Sequence, residues 1–158
     1  MKSIILFAAI ISVLASCTSD KSQPTGINEK AALPAALGLR EKDFRVITSG
    51  IDKKQGTMFT LFGNAEAVKF ASTGKDSTGK REVFTLVTWV QVNDPAWYGG
   101  KIPGEVQRVE IVKITGNSAQ LKPDYELYKG KQADLVANPP NQQERIRYIL
   151  SQKASIMP

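Results

Sequence analysis

The chain has 158 residues, 21 Lys and Arg against 15 Asp and Glu, no His and one Cys. Its 42% hydrophobic and 23% charged content is that of an ordinary globular chain, which argues against disorder throughout. Without histidine the chain alone builds no Ser-His or Cys-His pair and no His-ligated zinc or haem. One cysteine allows no internal disulfide, zinc ribbon or two-thiol haem attachment.

The chain opens with Met1-Lys2-Ser3, and Ile4 to Leu14 is apolar except for Ser12. That run is too short to span a bilayer, which takes about 20 residues. Residues 1–16 therefore form a secretory signal peptide in this reading. Leu14-Ala15-Ser16-Cys17 resembles a bacterial lipobox, in which the cysteine becomes the acylated first residue of the mature chain. Residues 17–29 are nearly devoid of apolar side chains and carry Pro24 and Gly26, the composition of a flexible tether. The expectation is a lipoprotein of the cell envelope, facing the periplasm or the outside, held to the lipid bilayer through Cys17.

Residues 30–158 are too few for two substantial cores and make one domain. A domain of this size buries roughly 65–70% of its unfolded surface, enough to fold without disulfides. Lys30 to Leu39 suggests a short helix broken at Pro34 and ended by Gly38. Phe44 to Ser49 alternates as a strand, and Thr57 to Phe62 completes a hairpin around Lys53-Lys54-Gln55-Gly56. Asn64 is a good N-cap for a short helix over Ala65 to Ala71. Glu82 to Val92 has apolar residues on both faces, the pattern of a central strand covered on both sides. Glu105 to Thr115 forms a second long strand, Gly116-Asn117 a turn, and Tyr125 to Lys129 a shorter strand. Asn141 with Glu144 predicts a capping box opening a terminal helix whose apolar face is Ile146, Ile149, Leu150 and Ala154. The fold class is α+β, mainly antiparallel β-sheet with short flanking helices.

Basic residues are dispersed, with only Lys53-Lys54 and Lys80-Arg81 adjacent. Nucleic-acid grooves cluster their charge among aromatics, so no nucleic-acid partner is expected.

Several segments together resemble the cytochrome P-460 family domain. They are Leu33 to Leu39, Gly56 to Val68, Leu86 to Gly104 with the VQRVEIV run after it, and the ending ERIRYILSQKASIMP. The resemblance implies an extracytoplasmic, mainly antiparallel β fold over residues 30–158, and makes a homodimer plausible. Haem-bearing members carry a CxxCH near the C-terminus and a lysine cross-linked to the macrocycle. Here no cysteine follows Cys17, histidine is absent, and no lysine lies between Arg81 and Lys101, so none of the haem residues carries over. No cofactor is expected; a haem held non-covalently by Met58, Tyr98 or a lysine is the alternative.

The loop from Asn93 to Gly100 is the most unusual stretch, with Asp94-Pro95, Trp97-Tyr98 and a glycine pair. Such aromatics can wall a pocket to which Asp94 adds a polar contact. The plainer reading has Trp97 closing the end of the β core and Asp94 capping the loop's own amides. Candidate ligand-pocket residues are Trp89, Asp94, Trp97, Tyr98 and Arg108. Trp89 is also a core candidate, and Arg108 with Glu110 is read as a solvated sheet face. No catalytic residue or metal ligand emerges. Redox chemistry needs a ligand set while binding needs only a shaped pocket, so a binding module for an unknown small molecule or a protein ranks ahead of a redox or nitrogen-oxide-handling role. A purely structural lipoprotein, docking a partner through a sheet edge or the terminal helix, is the third reading.

Overall fold

The computed structural model describes residues 28–39, 43–74, 81–117 and 120–155. The residues read from sequence as a signal peptide, a lipobox with Cys17 and most of a tether lie outside them. Six strands form one antiparallel sheet in simple chain order: β1 (Arg45–Asp52), β2 (Thr57–Gly63), β3 (Glu82–Asn93), β4 (Lys101–Asn117), β5 (Gln120–Lys129) and β6 (Asp134–Leu135). Helix α1 (Ala65–Thr73) follows β2, and α2 (Gln142–Ser151) follows β6. The α+β reading with strands in the majority holds.

Both sides of the central strands are covered. Phe84 and Leu86 of β3, with Val112 and Ile114 of β4, pack beneath α1 and α2 against Ala67, Ala71, Ile146 and Ile149. On the opposite side Val87, Trp89, Val109 and Ile111 meet Leu39 and the half-buried Leu33 and Leu37. These come from the segment read as a broken helix, which forms two 3₁₀ turns, Glu29–Ala31 and Ala35–Leu37. Gly38 ends the second with φ 55°, a left-handed conformation that glycine adopts without penalty. Trp89 fixes this segment to the sheet, since its indole Nε1 donates to the Ala31 carbonyl at 3.0 Å.

The cap at Asn64 forms as the local pattern predicts. Its Oδ1 accepts from the Ala67 amide at 3.0 Å and from the Val83 amide at 3.2 Å, and its Nδ2 donates to the Arg81 carbonyl at 2.9 Å. The expected capping box at Asn141 does not form. Asn141 follows Pro139-Pro140 and has φ 57°, so its side chain makes no capping bond to the helix. An N-cap normally has extended backbone. The Asn141 carbonyl still accepts from the Arg145 amide at 3.0 Å.

Several strand ends differ from the sequence expectation, and β4 runs on through the expected turn at Gly116-Asn117. β4 begins at Lys101 and carries Pro103 opposite Gln91, which lengthens the β3–β4 hairpin. β5 begins at Gln120 despite Pro123, and Val90 and Val92 of β3 are exposed.

Candidate functional site

The buried centre of the site is a carboxylate. Glu110 of β4 faces the helix side of the sheet, aligned with Leu86 of β3 and Leu127 of β5, and is 1% exposed. A charge there needs partners, because desolvation of an unpaired carboxylate is prohibitive. Arg145 of α2 supplies a fork, with Nε donating to Oε1 and Nη2 to Oε2, both at 2.7 Å. The Tyr125 hydroxyl of β5 donates to Oε1 at 2.7 Å. Arg108, two residues before Glu110 on the same strand face, brings its Nε to 3.3 Å from Oε2.

This corrects the reading of Arg108 and Glu110 as a solvated face: α2 roofs that part of the sheet. Burial raises the Tyr125 phenol well above its ordinary value near 10, and the hydrogen bond to Glu110 adds to the effect. The hydrogen bonds to Glu110 hold Arg145 above its ordinary value, against the lowering effect of burial.

Two guanidiniums therefore share one carboxylate. Arg145 and Tyr125 take its best hydrogen-bonding directions, and the Arg108 Nε is buried without a well-aligned hydrogen bond. Among the described residues the terminal nitrogens of Arg108 have no hydrogen-bonding partner, and about a third of that side chain (34%) is exposed. It lines a cleft of about 150 Å³ with Arg145 and Tyr148 of α2, Phe59, Leu86, Thr57 and Thr88 of the sheet, and Asp52 and Gln55 at the β1–β2 turn. The Arg145 guanidinium also lies 4.7 Å from the centre of the Tyr148 ring, a cation–π contact. Asp52 brings a second carboxylate to the rim of the cleft, and its Oδ1 accepts the Lys54 and Gln55 amides at 2.9 and 3.0 Å.

The five residues singled out from sequence do not converge. Arg108 lines the cleft, and Trp89 is buried on the opposite side of the sheet. Asp94, Trp97 and Tyr98 stand at the far tip of the β3–β4 hairpin. Asp94 accepts the Ala96 amide at 2.8 Å and so caps its own loop, as the plainer reading had it. Trp97 does not close the core; it is 74% exposed.

Tyr125, Arg145 and Tyr148 are the residues that sequence reasoning missed, and Glu110 was read as solvated. One signal was present: a lone carboxylate between Val109 and Ile111, on a strand neighbouring a doubly covered one, calls for a buried partner.

The cleft does not fit a haem. About 150 Å³ is below the roughly 300–1,000 Å³ of pockets for drug-sized ligands, and neither Met58 nor Tyr98 is on its wall. Among the described residues no cluster of three or more acidic, Cys or His side chains is arranged to hold a metal ion. Comparison of the chain with protein-family models gives no match, and comparison with curated proteins gives none.

Proposed function

We propose that this chain is a haem-free, cytochrome P-460-like lipoprotein of the bacterial envelope that binds a small organic anion in the cleft between α2 and the sheet. The observation that carries the binding site is the excess charge at Glu110: two guanidiniums, one carboxylate, and the less satisfied guanidinium, Arg108, turned to the opening. Arg108 offers terminal N–H donors to a carboxylate or similar oxyanion. Thr57 and Thr88 provide hydroxyls, while Phe59, Leu86 and the Tyr148 ring provide an apolar wall. A cavity of about 150 Å³ holds a molecule about the size of benzene, so the ligand is a monoanion with a short apolar body. The envelope location is supported by the Leu14 to Cys17 pattern, and the family relationship by the segments quoted above.

Titration of the chain with benzoate, acetate and inorganic phosphate, followed by calorimetry and amide NMR shifts, tests the reading. Benzoate is expected to bind more tightly than acetate and to move amides of β4 and α2. Arg108→Gln is expected to weaken it by roughly tenfold or more, the effect of one lost charge-assisted contact. No saturable shift with any of the three would overturn the proposal, as would binding undiminished in Arg108→Gln. A stoichiometric haemin complex with a Soret band would replace it with the redox alternative.

A further inference from the structure

The β3–β4 hairpin runs past its neighbours, and its tip is held in one shape. The Asp94 amide donates to the Gly100 carbonyl at 3.0 Å and the Gly100 amide to the Trp97 carbonyl at 2.9 Å. The Asp94 carboxylate accepts the Ala96 amide, and Gly99 takes the positive φ of 76° that the turn requires. This frame presents both aromatics outward, Trp97 mostly and Tyr98 wholly exposed, above the exposed Val90 and Val92. Two large side chains, each with an apolar body and a polar handle, suit the boundary between lipid and water.

The position of Asn28 bears on what covers them. Asn28 Nδ2 donates to the Pro103 carbonyl at 2.6 Å, and Pro103 lies opposite Gln91 in the arms of this hairpin. Asn28 therefore lies beside the hairpin. Trp97 stands six positions before Pro103, no more than about 20 Å of strand. Cys17 lies eleven residues before Asn28, which reaches at most about 40 Å. A lipid on Cys17 thus keeps the tip within reach of the bilayer. Lys53 and Lys54 are exposed in the neighbouring turn, whose Gly56 carbonyl accepts the Gln91 amide at 2.8 Å, and Lys101 is exposed on the hairpin itself.

We propose that the Trp97–Tyr98 tip seats in the headgroup layer of the membrane that holds Cys17, with Lys53, Lys54 and Lys101 toward anionic headgroups. The tethering, though not the seating, rests on the lipoprotein reading. The full chain is purified, its intact mass is read for an acyl adduct, and it is added to vesicles of phosphatidylcholine with and without phosphatidylglycerol. The tryptophan at risk of change is Trp97, since Trp89 is buried. The expected result is a blue-shifted emission quenched by brominated lipid, stronger with phosphatidylglycerol. Both signals should be lost in Trp97→Ser/Tyr98→Ser, whose partition falls by roughly tenfold or more as two aromatic faces leave the lipid.

Unquenched, unshifted emission overturns the seating, and if the acyl adduct is present the anchor reading survives it. Partition through the tip without an adduct overturns the anchor and leaves the seating. Trp97 protected from lipid quencher in a dimer seen by sedimentation would assign the tip to a second copy instead.

Discussion

Glu110 on β4 and Arg145 on α2 are joined by two parallel charge-assisted hydrogen bonds of 2.7 Å, across 35 residues of sequence. The pair ties the terminal helix to the middle of the sheet in one orientation. It also sets the electrostatics of the cleft, because the same carboxylate holds Arg108 in place.

Replacing Glu110 by alanine leaves Arg145 and Arg108 facing each other without a counter-charge and the Tyr125 hydroxyl without its acceptor. Breaking a buried pair from one side costs about 3–5 kcal/mol. Both guanidiniums keep some solvent contact, so the lower end of that range is expected for Glu110→Ala. Urea unfolding measures it; a loss below about 1 kcal/mol, the scale of an exposed pair, would show that the pair does not hold α2.

The same cluster predicts behaviour at alkaline pH. Tyr125 holds its proton more tightly in the folded chain than its ordinary value near 10 allows, through burial and then through Glu110. A raised value contributes stability that is complete below the unfolded value and is lost as pH climbs from there toward the folded value. Tyr128, raised by burial and by its hydrogen bond to Glu126, acts in the same direction. Unfolding free energy should therefore fall as pH rises above about 10. The fall should be shallower in Tyr125→Phe, which is less stable at neutral pH and has no phenol at 125 to titrate. Parallel pH profiles for the two chains would contradict this.

Asn64 is the position where local pattern and three-dimensional role coincide. Its side chain caps α1 and also binds Val83 and Arg81 at the start of β3, so it joins two elements. Loss of a cap costs about 0.5–2 kcal/mol, and the added contacts place Asn64→Ala at the upper end. Asn64→Asp keeps the acceptor and loses the donor to Arg81, so it should retain part of that stability in urea melts.

What could be read in the sequence was what neighbouring residues decide. The alternation of β3, the β1–β2 turn and the Asn64 cap each depend on a few adjacent side chains, and each forms. Asn141 fails because its backbone is left-handed, with φ 57°, which a residue pattern alone does not reveal. The cleft was hidden for a different reason. Arg108, Glu110 and Tyr125 meet through the pairing of β4 with β5, but Arg145 joins them only because α2 folds back over the sheet, and no spacing rule links position 110 to position 145. The exposed Trp97 reversed a sound average, since large aromatics usually lie inside; here it stands at the tip of the β3–β4 hairpin.

Trp89 ties the N-terminal segment to the sheet through one hydrogen bond and its own packing. The indole donates to the Ala31 carbonyl, and Leu33, Leu37 and Leu39 then lie against Val87, Val109 and Ile111. Trp89→Phe keeps much of the apolar volume and removes the donor, leaving the half-buried Ala31 carbonyl to find water. The loss expected from one such bond is about 1 kcal/mol, with a further contribution from the reduced aromatic area. Its effect should be local. The 3₁₀ turns rest on two bonds each, Ala31 to Asn28 and Ala32 to Glu29 in the first, Leu37 to Pro34 and Gly38 to Ala35 in the second, and have little stability of their own once the segment lifts. Hydrogen exchange at the Ala31, Ala32, Leu37 and Gly38 amides should therefore accelerate in Trp89→Phe while the paired amides of β3 and β4 keep their protection. Trp97→Phe, at the exposed tip, should leave those same amides unchanged. Equal acceleration across β3 would mean instead that the covering segment and the sheet open together, as one cooperative unit.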